Sequence, residues 1–229
     1  MSSAAGFRVA VYYAPAKDDP LWTAGCQWLG RDPESGEEFQ PSEAVTDPDL
    51  TRDPSGYGFH GTLKPPMRLA DGVSYEAFLE AVQALAQGLR PFAMPRLSVQ
   101  NLHGFLAVRE AEPSPDLQAL ADVTVASLDD CRARPSEAEL ARRRKAGLSA
   151  PEEAMLARWG YPYVFQLWRF HLTLTRRLDA AEMARLLPAA EAFFASSLTQ
   201  PRVCDSLAVY TQAESGAPFT LTARVPLGG

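Results

Sequence analysis

Two of the three histidines in this 229-residue chain lie in matching pentapeptides, Phe59-His60-Gly61-Thr62-Leu63 and Phe170-His171-Leu172-Thr173-Leu174. An imidazole two residues from a hydroxyl, occurring twice, is a set of groups suited to moving protons. One ring can take a proton while the other gives one, because histidine's ordinary pKa of about 6.5 lets both states coexist near neutral pH. Both copies alternate apolar and polar residues and are rich in aromatic and β-branched types, the pattern of a half-buried strand with two different faces. On that reading Phe59, Leu63, Trp168, Phe170, Leu172 and Leu174 face the core. The opposite face presents His60, Thr62 and Lys64 from the first strand, and Arg169, His171, Thr173 and Thr175 from the second. Lys64 and Arg169 are placed there by strand parity, which a one-residue bulge would reverse.

The elements that must hold these strands follow from punctuation and period. Phe7 to Ala14 reads as a strand stopped by Pro15, and Pro20 to Leu29 as a short helix with Pro20 at its start and Gly30 just past its end. From residue 31 to 55 the chain is dense in Pro, Asp, Glu and Gly without a period, an irregular surface excursion. The first motif strand ends at Lys64, where Pro65 and Pro66 remove two backbone donors. A helix over Tyr75 to Ala86, capped by Ser74, precedes strands at Arg96 to Gln100 and Phe105 to Arg109. After the second motif, Asp179 and Glu182 form a capping box for a helix to about Ser196, in which Pro188 is a candidate kink. Strands Val203 to Thr211 and Phe219 to Val225 follow. The order strand, helix, strand, strand thus occurs once after each histidine motif, a duplication of pattern. Between the modules, residues 113 to 160 read as about three helices, divided by the capping boxes Ser136-x-x-Glu139 and Ser149-x-x-Glu152. The run Arg142, Arg143, Arg144, Lys145 on one of them reads first as a solvated face and second as a helical lid offering cations to a phosphate. Tyr161 and Tyr163 read as packing residues, with stacking on a substrate ring as the second reading.

Composition narrows the function. With 46% hydrophobic and 22% charged residues the chain can bury roughly 70% of the surface its unfolded form exposes, without help from a metal or disulfide. A net charge of −6 and a pI near 5.2 argue against non-specific binding to nucleic acid or anionic membrane and suit a small anionic substrate. Cys26, Cys131 and Cys204 are odd in number and widely spaced, and are read as buried packing thiols rather than a disulfide framework or thiolate metal site. No basic segment followed by an apolar run opens the sequence and no long apolar span occurs, so a cytoplasmic protein is expected. Trp22, Trp28, Trp159 and Trp168 are assigned to the core or a lobe interface. His103, in a turn beside Gly104 and without a threonine two residues on, is given only a local hydrogen bond.

Other chemistries fail on context. Gly56-Tyr57-Gly58-Phe59-His60-Gly61 spells a dinucleotide-binding fingerprint, but an Asp/Pro-rich loop precedes it and Leu63-Lys64-Pro65-Pro66 follows, where a strand and a helix are required. There is no Walker A loop, G-x-S-x-G elbow or H-E-x-x-H helix, and three scattered histidines make a poor transition-metal site.

The doubled H-x-T motif, each copy preceded by an aromatic and followed by leucine and roughly a hundred residues apart, resembles the two-histidine (2H) phosphoesterase superfamily. The flanks Tyr57-Gly58-Phe59-His60-Gly61-Thr62-Leu63-Lys64-Pro65-Pro66 and Trp159-Gly160-Tyr161-Pro162-Tyr163, with the helical insert, are similar to the branch associated with bacterial phosphonate-utilisation operons. The resemblance implies an α+β fold of two pseudo-symmetric lobes of antiparallel strands with flanking helices around a central cleft. That makes a single bilobal domain, with modules at about 56–110 and 164–226 and the insert at about 113–160. It implies that His60 and His171 flank one phosphorus atom as base and acid, that Thr62 and Thr173 donate to its non-bridging oxygens, and that no metal or cofactor takes part. Lys64, Arg169 and Thr175 are then substrate-binding candidates by extrapolation. The expected activity is hydrolysis of a small cyclic phosphodiester, a ribosyl cyclic phosphate or cyclic nucleotide. The alternatives are processing of RNA 2′,3′-cyclic phosphate ends and a non-catalytic sensor of a phosphorylated ligand.

Overall fold

The structure is a computed structural model that describes residues 6–40, 42–145 and 147–229. Its strands and helices run in the order β1 (Arg8–Tyr13), α1 (Pro20–Leu29), α2 (Arg52–Tyr57), β2 (Gly61–Met67), α3 (Tyr75–Gln87), β3 (Phe92–Ala93), β4 (Leu97–Leu102), β5 (Phe105–Glu110), α4 (Pro115–Ser127), α5 (Glu137–Arg144), α6 (Ala150–Trp159), β6 (Leu172–Thr173), α7 (Ala180–Leu198), β7 (Val203–Cys204), β8 (Ser206–Gln212) and β9 (Thr220–Pro226). Local chemistry accounts for the helix ends. The Asp19 side chain accepts from Leu21 N before Pro20, and Gly30 closes α1 at φ 80°. Ser74 caps α3, and complete capping boxes open α5, α6 and α7.

Seven strands form one antiparallel sheet in the order β4-β5-β6-β2-β1-β8-β9, and β3 pairs with β7 apart from it. The fold is α+β, as the family resemblance implies. The two H-x-T strands are neighbours at the centre, joined at the pair Gly61–Leu172. The chain crosses over around them. The β4-β5 hairpin, which follows the first motif, pairs with the second motif's strand, while β8 and β9, which follow the second, extend the side of the first through β1. One face of the sheet carries the main core, with Val9, Val11, Leu63, Phe170, Leu172, Leu174 and Val209 under the apolar sides of α1, α3, α4 and α7. The other carries a smaller cluster around Ala10, Tyr12, Trp22, Ala208, Tyr210 and Phe219. Because β1 is covered on both sides, Val9 to Tyr13 are all buried and show no alternation.

Three expectations change. Pro65 and Pro66 do not end the first motif strand, which pairs with β1 as far as Met67 opposite Val9. The register slips on the way: Tyr12 faces Thr62, yet Val11 faces Lys64, so β2 holds an extra residue between them. The second motif strand is only Leu172–Thr173 rather than a long run. Side chains take the places of backbone partners around it. The Trp168 indole donates to Thr62 O at 2.7 Å, Arg109 Nε donates to Phe170 O at 3.3 Å, and Leu106 N donates to Thr175 Oγ1 at 3.0 Å. The irregular excursion from residue 31 ends in a helix, α2, that propensity does not announce across Arg-Asp-Pro-Ser-Gly-Tyr.

Candidate active site

The six core-facing residues of the two motifs, Phe59, Leu63, Trp168, Phe170, Leu172 and Leu174, are all buried. Their burial turns the alternate residues to the opposite face. Gly61 sits where the two strands meet, and a Cβ there would lie 2.9 Å from the Phe170 ring, so the close approach of the strands requires glycine. Antiparallel pairing about Gly61 and Leu172 sets His60 beside Thr173, and His171 beside Thr62, as cross-strand neighbours. A local twofold relation therefore exchanges the two imidazole–hydroxyl pairs. Around them the face hollows into two adjoining cavities. One of about 250 Å³ is lined by His60, Thr173, Thr175 and Tyr57; the other, of about 480 Å³, by His171, Thr62, Arg169, Tyr161 and Tyr163. Phe105 and Arg177 border both.

Each imidazole is oriented by its own strand. His60 Nδ1 lies 2.8 Å from Gly58 O and His171 Nδ1 lies 2.7 Å from Arg169 O. A carbonyl can only accept, so Nδ1 carries the proton in both rings and Nε2 is left with its lone pair. Thr62 Oγ1 donates to His60 Nε2 at 3.2 Å. Tyr12 stacks beneath His60, with ring centroids 3.8 Å apart, and Phe105 meets His171 edge-on at 5.8 Å. Burial pushes His60 down to about 4, against the pull of the Gly58 carbonyl, and the nearby His171 pushes it the same way. His171 is lowered too, by burial and by the neighbouring Arg109 guanidinium, against the Arg169 carbonyl. In the free protein both rings are thus neutral near pH 7, and an incoming phosphoryl anion is what would draw a proton onto one of them.

The remaining predicted site residues divide. Lys64 does not face the cleft. The bulge between Thr62 and Lys64 turns it to the core side, where it is 2% exposed and its Nζ donates to Val125 O at 2.8 Å and Asp129 Oδ1 at 3.1 Å. Its assignment as a substrate-binding cation is corrected to that of a buried ion pair anchoring α4 to β2. Thr175 lines the cavity wall, but its Oγ1 accepts from Leu106 N, so its hydroxyl serves the sheet. Arg169 stands at the cleft beside His171, with Nη1 donating to the carbonyls of Gln166 and Trp168. The basic run of α5 also divides: Arg144 pairs with Glu153 at the surface, whereas the Arg143 guanidinium lies 4.8 Å over the ring of Tyr161, a cleft residue. His103 occupies the β4-β5 turn at φ 50°, and its carbonyl accepts from Arg177. Tyr12, Phe105 and Arg177 join the site without a sequence signal of their own. Only the pairing of β1, β5 and the segment after β6 with the motif strands brings them in.

Paired H-x-T strands at the centre of one antiparallel sheet, with helices on its core face and a cleft on the other, define an α+β protein built around a doubled imidazole–hydroxyl site. The chain belongs to the family described as protein of unknown function DUF1045, whose model matches residues 62–220. It is 38% identical over 238 residues to the ribose 1,5-bisphosphate phosphokinase PhnN of Janthinobacterium sp. (strain Marseille), an alignment covering 100% of this chain and 52% of that protein. With the protein of the same name from Laribacter hongkongensis (strain HLHK9) it shares 36% identity over 216 residues, covering 93% and 50%. The chain thus spans about half the length of the curated relatives it matches. Among solved structures, E. coli LigT complexed with 3′-AMP aligns over 99% of this chain and 100% of that one at 13% identity and a TM-score of 0.48. A structure described as a phosphoesterase aligns over 97% and 99% at 14% identity and a TM-score of 0.43.

Proposed function

We propose that the protein is a two-histidine phosphodiesterase that opens a small cyclic phosphodiester without a metal ion. The observation that carries this reading is the crossed arrangement of His60 with Thr173 and His171 with Thr62 about the Gly61–Leu172 pair. A phosphorus atom between the two rings meets an Nε2 on each side. One Nε2 takes a proton from the attacking water as the new P–O bond forms. The other, protonated when the anionic substrate binds, gives its proton to the ribose oxygen as the ring P–O bond breaks, leaving a phosphomonoester and a free hydroxyl. Each transfer contributes typically about 10²–10⁴-fold. The Thr62 hydroxyl, which turns from His60 Nε2 when substrate binds and so frees that nitrogen, and the Thr173 hydroxyl donate to the non-bridging oxygens, where charge is held in the transition state.

The curated relatives are named for phosphate transfer to ribose 1,5-bisphosphate. This chain has no G-x-x-x-x-G-K-[ST] loop to cradle a nucleotide triphosphate, so we assign the kinase step to the half of those proteins that it does not span. A module acting on a ribosyl cyclic phosphate would belong beside such a kinase, which supports phosphonate breakdown as the setting. Exposed Tyr57 and Tyr163 on the cleft's rim could stack a base, so 2′,3′-cyclic nucleotides are suitable test substrates. The test is turnover of 2′,3′-cyclic AMP and of ribose 1,2-cyclic phosphate in chelator-treated buffer by the wild type and by His60→Ala and His171→Ala. We expect turnover to fall by at least about 100-fold in both variants while their circular dichroism is unchanged. Turnover that survives either substitution, or that returns only with added zinc or manganese, would refute the mechanism.

A further inference from the structure

A cyclic phosphodiester carries one negative charge, and one protonated histidine already balances it. The cleft nevertheless holds more cations. Arg169, two residues before His171, and Arg177, four residues after Thr173, both border it, and Arg177 reaches the His60 half as well. Among the described residues neither forms an ion pair with a carboxylate. Each guanidinium spends Nη1 on backbone carbonyls, Arg169 on Gln166 and Trp168 and Arg177 on His103, and keeps further N–H groups for a ligand. Of the carboxylates nearby, Glu152 is bound into its own helix cap through Ser149 N and Oγ, each at 2.7 Å, Glu110 pairs with Arg109, and Asp53 shares the His60 half with Arg177 without forming an ion pair with it. Arg143, over Tyr161, adds a third guanidinium without an ion-pair partner among the described residues. On a chain of net charge −6, unpaired arginines gathered at one concave site mark where an anion of higher charge must sit.

We infer, on the phosphodiesterase reading above, that the natural substrate carries a second phosphate as a monoester, held by Arg177 and Arg169 while the cyclic diester lies between His60 and His171. A phosphate monoester brings about −1.5 to −2 charges and three acceptor oxygens, which match the fork of a guanidinium. The substrate class is then a doubly phosphorylated ribosyl or nucleoside cyclic phosphate. Two pairs of probes test this: 2′,3′-cyclic AMP with and without a 5′-phosphate, and ribose 1,2-cyclic phosphate with and without a 5-phosphate. We expect kcat/KM for at least one pair to rise by about 10–100-fold with the added phosphate, the value of one or two charge-assisted hydrogen bonds. That ratio should fall toward one in Arg177→Gln and recover in part in Arg177→Lys. Equal kcat/KM within each pair in the wild type would overturn this inference and leave the phosphodiesterase intact. A complete lack of turnover of all four probes would sink both.

Discussion

Gly25 lies in the middle of α1, where glycine is a poor helix former, and replacing it by alanine sets two effects of known size against each other. Propensity alone makes Gly25→Ala stabilising by about 0.8–1 kcal/mol. Packing opposes it. A Cβ at position 25 would stand 2.2 Å from Cδ1 and Cγ of Phe59 and 2.6 Å from Cδ2, while unstrained carbon contacts are about 3.5–4.0 Å. Relief requires a shift of more than about 1 Å between α1 and a ring that is fully buried and stacks on Phe194. Overpacking of this kind costs typically about 1–3 kcal/mol and here stands at the upper end, so packing wins by about 1–2 kcal/mol. For a chain of this size that lowers Tm by about 2–8 °C. Phe59 immediately precedes His60, so the displacement also reaches the site, and kcat/KM should fall by about tenfold or more. Thermal unfolding and turnover of 2′,3′-cyclic AMP measure both, and Gly25→Ala/Phe59→Leu should be less damaged than the sum of the single changes. A Tm raised by a few degrees with activity retained would show that α1 does not rest on Phe59 as described.

Two further predictions concern protons. Burial holds Lys64 down at about 8 despite Asp129, so between about pH 8 and 10 the folded protein binds fewer protons at this site than the unfolded chain, and stability contributed here rises with pH by up to about 3 kcal/mol. The difference in stability between the wild type and Lys64→Met, followed by urea denaturation across that range, should therefore grow in the wild type's favour; a flat difference would contradict the buried placement. Both imidazoles are lowered in the free protein, so kcat/KM should follow a bell with two apparent pKa values below about 6.5, rising through about 4 as the base loses its proton and falling as the acid does. A falling limb above pH 7 would show that the rings are not desolvated as the structure places them.

What the sequence made legible was local. Helix caps at Asp19, Ser74, Ser136, Ser149 and Asp179 are read from spacing alone because the groups they satisfy lie within three residues. The core side of both motif strands is equally plain, since parity holds from Phe59 to Leu63 and from Trp168 to Leu174. Parity misplaces Lys64 because it breaks at the bulge, and the bulge is set by the register with β1, some fifty residues earlier. The shortness of β6 was invisible for a similar reason: it depends on Trp168, Arg109 and Thr175 side chains occupying ladder positions, and no propensity encodes that. Tyr12 reads as a strand residue from its neighbours, but its stacking on His60 follows only once Tyr12 is opposite Thr62.

The route of the chain through its sheet bears on how the protein is made. Strand β1 is flanked by β2 and β8, and the hydrogen bond from Arg8 to Gln212 closes a separation of 204 residues. On a ribosome, β1 and β2 can pair early, but the other edge of β1 stays uncovered until β8, whose Gln212 lies 204 residues after Arg8, has emerged. The nascent chain is thus most prone to stick to its neighbours shortly before β8 emerges, and a slowed or chaperone-poor synthesis should cost soluble yield more than the stability of the finished fold would suggest.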